Sequence, residues 1–275
     1  MADLVFREER LELWCGSATE LPMEDGSAAC IVTSPPYNVG IAYEDDSTPD
    51  ARDFEAYWTD AAQWAKEMER VLVDGGRLWL NVAPVVAKTP TPGRHHSGRT
   101  AKERVSLLRG WGNVLVGAGF SEVDVVAWVG ARGAGTAWGS WQMPSAPNLR
   151  GDWEAILVMC KGGWVRESPE GLETWHDTLG SWPILTRNVW TFAPERRVLG
   201  HPAPFPIELA LRAIRLSTWP GETVLDPFCG SGSTLVAADL VGRHGVGVEL
   251  SKAYCELAQK RLAQRSLPLF SERSG

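Results

Sequence analysis

The chain has 275 residues, of which 44% are apolar and 22% charged; this excludes a disordered, collagenous or coiled-coil chain and suits one large α/β domain or two small ones. The net charge of −7 argues mildly against a phosphate-rich partner, although it says nothing of local basic patches. With no apolar run of 18 residues, an acidic start (MADLVFREER) unlike a secretion signal, and five scattered cysteines without a CxxC pair, the chain reads as cytoplasmic, with no membrane span, disulfide framework or metal site.

The first predicted strand is Leu11–Trp14, and a turn separates it from a second, Ala28–Thr33. That strand stops at Ser34-Pro35-Pro36-Tyr37, because proline has no N–H to give a ladder. Apolar positions from Phe54 to Leu72 recur at the helical period and predict a helix over 53–73, ended by Asp74-Gly75-Gly76. A strand over Arg77–Val82 follows, then a loop over 84–100, a helix over about 102–117 and a strand over Val123–Val129. Residues 130–152 read as a Gly- and Pro-rich loop, Ala155–Cys160 as a strand, and 161–200 as an irregular insertion. The remainder alternates: helix Phe205–Leu216, with Pro206 in its first turn, strand Thr223–Leu225, helix Thr234–Leu240, strand Val246–Val248 and helix Lys252–Gln264. Such alternation indicates a mainly parallel sheet in a single domain spanning 1–275.

Two segments carry chemistry. In Val224-Leu225-Asp226-Pro227-Phe228-Cys229-Gly230-Ser231-Gly232-Ser233-Thr234 a strand passes through a Gly-x-Gly turn into a helix. The glycines let backbone approach a ligand, and the N–H groups opening the helix form a polar cradle. Glu249 follows at the end of the next strand, a spacing that suits a carboxylate gripping a ribose diol, so the segment reads as the site of an adenosine-type cofactor. In the second segment, Ser34-Pro35-Pro36-Tyr37, a hydroxyl and a proline-directed carbonyl accept from an exocyclic amine, while the tyrosine ring stacks on a planar heterocycle.

Together these segments resemble the S-adenosylmethionine-dependent DNA methyltransferases that methylate amino groups, cytosine N4 or adenine N6. DPFCGSGST is similar to the family's cofactor loop and SPPY to its catalytic tetrapeptide; His201-Pro202-Ala203-Pro204-Phe205-Pro206 is similar to the segment that walls the methionine end of the cofactor. With SPPY early and the glycine loop late, the order resembles the permuted beta group. The resemblance implies a Rossmann-like methyltransferase fold: an α/β, mostly parallel, doubly wound seven-stranded sheet with an antiparallel strand. It implies S-adenosylmethionine as cofactor and double-stranded DNA as partner. Ser34, Pro35, Pro36 and Tyr37 are the implied catalytic residues. Asp226, Pro227, Phe228, Gly230, Ser231, Gly232, Thr234, Glu249, His201, Phe205 and Pro206 are the implied cofactor contacts.

Serine at position 34 goes with cytosine N4, and acidic or amide residues there go mostly with adenine N6, which is the alternative. Cytosine C5 chemistry needs a nucleophilic cysteine, usually beside proline, and no Pro-Cys pair is present. Two basic groups are candidate DNA contacts: Lys88, Arg94, Arg99 and Lys102, and Arg187, Arg196 and Arg197. The segments 84–100, 130–152 and 161–200 are candidate recognition loops. Fourteen tryptophans, eight of them between Trp128 and Trp190, serve either as core or as stacking surfaces. A homodimer and a cognate restriction endonuclease are the protein partners such a chain admits.

Overall fold

The computed structural model describes residues 2–39, 52–87, 103–130, 151–169, 182–194 and 206–265. Strands β1 (Asp3–Glu8), β2 (Leu11–Cys15) and β3 (Ala28–Thr33) lead into helix α1 (Phe54–Val71) and strand β4 (Leu72–Val82). Short strands β5 (Val86–Ala87) and β6 (Arg104–Val105) precede α2 (Leu107–Gly117), β7 (Phe120–Val129) and β8 (Trp153–Lys161). Then come α3 (Trp182–Leu185), β9 (Val189–Thr191), α4 (Ile207–Ser217), β10 (Thr223–Asp226), α5 (Ser233–Leu240), β11 (His244–Glu249) and α6 (Lys252–Arg265).

Among the described residues the main sheet has nine strands, in the order β1-β2-β11-β10-β3-β4-β8-β7-β9. Strands β2, β11, β10, β3 and β4 run parallel, and β8 is antiparallel to both of its neighbours, β4 and β7. The expected seven strands with one reversed are therefore present as β2 through β7 in this order, with β1 and β9 added at the two edges. Neither edge strand carries a signal legible in sequence. β1 is exposed or half-buried along its length, and β9 is three residues long with only Trp190 buried. The irregular reading of 161–200 is thus corrected for 182–194, where α3 and β9 form and β9 pairs parallel with β7.

Smaller corrections have local causes. Asp74-Gly75-Gly76 does not end the helix; α1 already stops at Val71, and the three residues lie inside β4. There Cys30 pairs with Arg77 while Ala28 pairs with Leu72, so β4 bulges, with Gly75 at φ +74°. Part of the predicted loop at 84–100 pairs instead, because β5 and β6 form an antiparallel ladder. Pro206 is the N-cap of α4 rather than part of its first turn.

Helices cover both faces. On α1 the positions Phe54, Tyr57, Ala61, Trp64, Ala65, Met68 and Val71 are buried, one face at helical spacing, and Asp53 caps the first turn through the Glu55 N–H. With Trp111 and Leu115 of α2 they pack on Ile31, Leu78, Leu80 and Leu157 of the sheet. On the other face α4 and α5 bury Leu209, Ala213, Ile214 and Ala237 against Cys30, Val32, Trp79 and Val224, and α6 joins Leu235 and Leu11 through Leu262. Two helix-bearing faces and a sheet whose central strand β3 is buried at every residue leave the carboxyl ends of β3, β10 and β11 as the open edge. Among the described residues no helix is long and apolar enough to cross a membrane.

Candidate active site

The two motifs emerge from neighbouring strands. β3 and β10 pair in parallel, Cys30 beside Val224 and Ile31 beside Leu225. SPPY therefore leaves the sheet at the same edge as the glycine loop. A buried clasp joins them: the Thr33 hydroxyl donates to Asp226 Oδ1 at 2.7 Å, the Thr234 hydroxyl to Oδ2 at 2.6 Å, and the Phe228 N–H to Oδ1 at 3.1 Å. Asp226 has no exposed surface, so its carboxylate holds the loop to β3 and does not face an open cavity.

Burial pushes Asp226 up to about 6, against the lowering effect of its three donors. A carboxyl whose folded value is raised contributes stability below its unfolded value near 3.8, and this is lost as pH rises through about 6. Asp226→Asn keeps an acceptor for Phe228 and removes the buried charge. Thermal midpoints measured from pH 4.5 to 8 should therefore move in favour of the variant as pH rises, by several degrees at the alkaline end. A difference that is flat with pH would refute this.

The glycine loop is shaped by left-handed backbone, with Gly230 at φ +52° and Gly232, the N-cap of α5, at φ +82°. Glu249, at the end of β11, accepts the Gly230 N–H on Oε2 at 2.8 Å and the Ser251 N–H on Oε1 at 2.9 Å. Burial raises this carboxyl above its ordinary value, and the two backbone donors pull the other way. Each oxygen keeps a lone pair for a further donor. Ser231 and Thr234 are buried and engaged within the protein, Ser231 by the Arg261 guanidinium at 3.1 Å. Close packing supports the loop from below: a Cβ on Gly247 would lie 2.6 Å from Cys229 Sγ. Burial, with Asp226 and Glu249 nearby, pushes the Cys229 thiol well up, so it is a packed neutral group and not a nucleophile.

Around SPPY the structure brings in two residues that sequence reasoning missed. Asn81, at the end of β4, donates from Nδ2 to the Tyr37 hydroxyl at 2.9 Å and to Glu154 Oε2 at 2.8 Å. The Tyr37 hydroxyl lies 3.0 Å from Glu154 Oε2, and Ser34 Oγ lies 3.1 Å from the Tyr37 hydroxyl. Two acceptors on Nδ2 fix the amide orientation, since a flip would set a carbonyl against a carboxylate. Asn81 Oδ1 is left buried without a donor among the described residues. Nothing in sequence marked Glu154, one of two acids, with Asp152, just ahead of an apolar run; only the pairing of Asn81 with Ile156 across β4 and β8 brings it here. Tyr57 of α1 donates to the Pro36 carbonyl at 2.8 Å and receives the Trp111 indole N–H at 2.9 Å, which locks the tetrapeptide to the helical layer. Phe228 and Tyr37 both pack on that same cluster, and Phe228 meets Trp64 edge-on with ring centres 5.0 Å apart.

Of the remaining expected residues, Pro227 and Pro206 are buried, and Arg187 is exposed just after α3. His201, Phe205, Lys88, Arg94, Arg99, Lys102, Arg196 and Arg197 lie outside the described residues. Trp128 and Trp190 are core residues: Trp190 stacks on Trp79, and Trp128 on Phe192. Trp164 and Trp182 are exposed.

A mainly parallel sheet with β8 reversed between β4 and β7, a Gly-x-Gly loop after β10 and an acid ending β11 define a Rossmann-like methyltransferase. The profile of the N6/N4-type DNA methylases matches residues 28–260, and the chain belongs to that family. The type II methyltransferase M.ScaI of Streptomyces caespitosus is 28% identical over 259 residues, 87% of this chain and 76% of the relative. The crystal structure of TTHA0409 from Thermus thermophilus, assigned as a DNA modification methylase, superposes with a TM-score of 0.71 at 30% identity, covering 96% of this chain and 97% of the other. A second structure of TTHA0409 is complexed with S-adenosylmethionine; it superposes with a TM-score of 0.71 at 28% identity, covering 96% of each chain. The cytosine-N4-specific PvuII DNA methyltransferase shares the fold, with a TM-score of 0.65 at 18% identity over 95% of this chain and 88% of the other.

Proposed function

We propose that this protein transfers the methyl group of S-adenosylmethionine to the exocyclic N4 amine of a cytosine flipped out of double-stranded DNA, as a member of the permuted beta group. The observation that carries this reading is the clasp of Thr33 to Asp226, which sets SPPY and the glycine loop side by side at one sheet edge. The residues present fit the cofactor. Glu249 has acceptor capacity for a ribose diol, and the turn through Gly230 and Gly232 brings backbone close to it. When bound, the sulfonium supplies an electrophilic methyl carbon.

The chain's own residues then act mainly by positioning. Tyr37 stacks on the extruded base and offsets part of the few kcal/mol that flipping costs. Ser34 Oγ and the Pro35 carbonyl accept from the amine, which turns its lone pair toward the methyl group. Pro36 keeps that backbone rigid. Phe228 and Pro227 flank the adenosine side, Asp226, Ser231 and Thr234 shape the loop from behind, and His201, Phe205 and Pro206 wall the methionine end. Lys88, Arg94, Arg99, Lys102, Arg187, Arg196 and Arg197 neutralise phosphates, and a recognition sequence is read by the segments 84–100, 130–152 and 161–200. M.ScaI is named as a type II methyltransferase, which supports a cognate restriction endonuclease as partner.

The test is incubation with labelled S-adenosylmethionine and genomic DNA, followed by mass analysis of the nucleosides. N4-methylcytosine is the expected product. N6-methyladenine would overturn the choice of base and leave the reaction class, whereas unlabelled DNA would overturn the whole reading.

A further inference from the structure

Methyl transfer to a neutral amine leaves a proton to be removed, and the Ser34 hydroxyl is too weak a base to keep it. We infer that Glu154 is the terminal acceptor of that proton, reached through the Ser34 and Tyr37 hydroxyls; this rests on the reading above. The distances are those of a chain: 3.1 Å from Ser34 Oγ to the Tyr37 hydroxyl and 3.0 Å from there to Glu154 Oε2. Hydroxyl hydrogens are set here by their partners. The Asn81 Nδ2 donates to the Tyr37 oxygen at 2.9 Å, which leaves that oxygen to accept from Ser34 and to donate onward to Glu154. The second Nδ2 hydrogen binds Glu154 Oε2 at 2.8 Å and holds the carboxylate in place. The Asn81 backbone carbonyl lies 3.3 Å from both hydroxyls, farther than 3.1 Å from Ser34 Oγ to Tyr37 and 3.0 Å from Tyr37 to Glu154. Along the shorter contacts Ser34 gives its hydrogen to Tyr37, and its lone pairs are left for the substrate amine.

The step balances. The cytosine N4 lone pair bonds to the methyl carbon, and the carbon–sulfur bond breaks with its electron pair going to sulfur, which leaves a neutral thioether. The methylated nitrogen is then cationic. It passes one proton to Ser34 Oγ as the Ser34 proton moves to the Tyr37 oxygen and the Tyr37 proton to Glu154. Both hydroxyls are regenerated, and the half-buried Glu154 returns the proton to solvent. Glu154 touches no substrate atom in this scheme; it is a positioning residue that acts through Tyr37 and Ser34.

The test compares Glu154→Gln, Glu154→Asp, Tyr37→Phe and the Gln/Phe double variant in single-turnover methyl transfer. Affinity for S-adenosylmethionine, KM for DNA and thermal midpoint are measured alongside. E154Q should lower the transfer rate by about 100-fold while cofactor affinity and KM hold. Y37F keeps the stacking ring and should lose a similar factor. The double variant should be no slower than the slower single, because the groups act in series. E154D, which keeps a carboxylate, should recover part of the rate. If E154Q melts early, Y37F and E154D decide alone. A full rate in E154Q or Y37F, losses that multiply in the double variant, or a defect confined to KM would overturn the relay with the wild type still active. A wild type that transfers no methyl group would overturn the parent reading and this inference with it.

Discussion

Replacing Glu249 with alanine is expected to weaken binding of S-adenosylmethionine by about 100-fold or more, roughly 3 kcal/mol. Two losses combine. In the proposed complex the carboxylate accepts from a ribose diol, and charge-assisted bonds of this kind each contribute about 1.5–3 kcal/mol. It also ties the loop itself, by accepting from Gly230 at 2.8 Å and from Ser251 at 2.9 Å. Without it those N–H groups lose their partner, and the turn is no longer held against β11. Glu249→Gln should also bind poorly, because one amide oxygen cannot serve two backbone donors while the amide NH2 faces the other. Calorimetric titration with the cofactor checks this, with the thermal midpoint as a control for folding. Binding by E249A at wild-type affinity would remove Glu249 from the cofactor site.

Replacing Tyr37 with alanine should lower methylation of duplex DNA by at least about 100-fold while cofactor affinity stays close to that of the parent. Stacking on an extruded base is worth about 1–3 kcal/mol, and this energy serves the flipped state rather than the resting complex. The same substitution removes the hydroxyl that links Ser34 to Glu154 and leaves Asn81 Nδ2 with one acceptor fewer. A fluorescent base analogue at the target position reports extrusion separately from chemistry. Y37A should lose both signals, whereas Y37F should keep extrusion and lose chemistry. Unchanged turnover in Y37A would take the residue out of the reaction. Weakened cofactor binding would mean that the ring supports the glycine loop, through the cluster it shares with Phe228.

The expected cofactor set divides in the structure by depth. Asp226, Ser231 and Thr234 are buried and bonded inward, whereas Gly230, Phe228 and Glu249 are the half-buried members. The motif records its five members alike, because a loop needs its internal supports as strictly as its contacts. Which of them face outward depends on where α5 and α6 pack: Arg261 of α6 takes Ser231 and Ser233 from behind, and Thr33 and Thr234 take Asp226 from both sides.

Local chemistry in the chain determines much of this protein without reference to its fold. Two prolines after Ala28–Thr33 end a strand, a Gly-x-Gly turn between strand and helix makes a tight backbone loop, and apolar residues at helical spacing from Phe54 to Val71 make a helix with one buried face. Those signals depend on neighbours within a few residues, so they survive reading one residue at a time. The edge strands β1 and β9, the bulge at Gly75 and the ladder of β5 with β6 do not, because each is short and owes its conformation to a partner far along the chain. The same holds for the site's second acid: Glu154 meets Tyr37 across 117 positions only because β8 runs back beside β4. Contacts of that span are set by strand order, and strand order is decided when the whole sheet buries both of its faces.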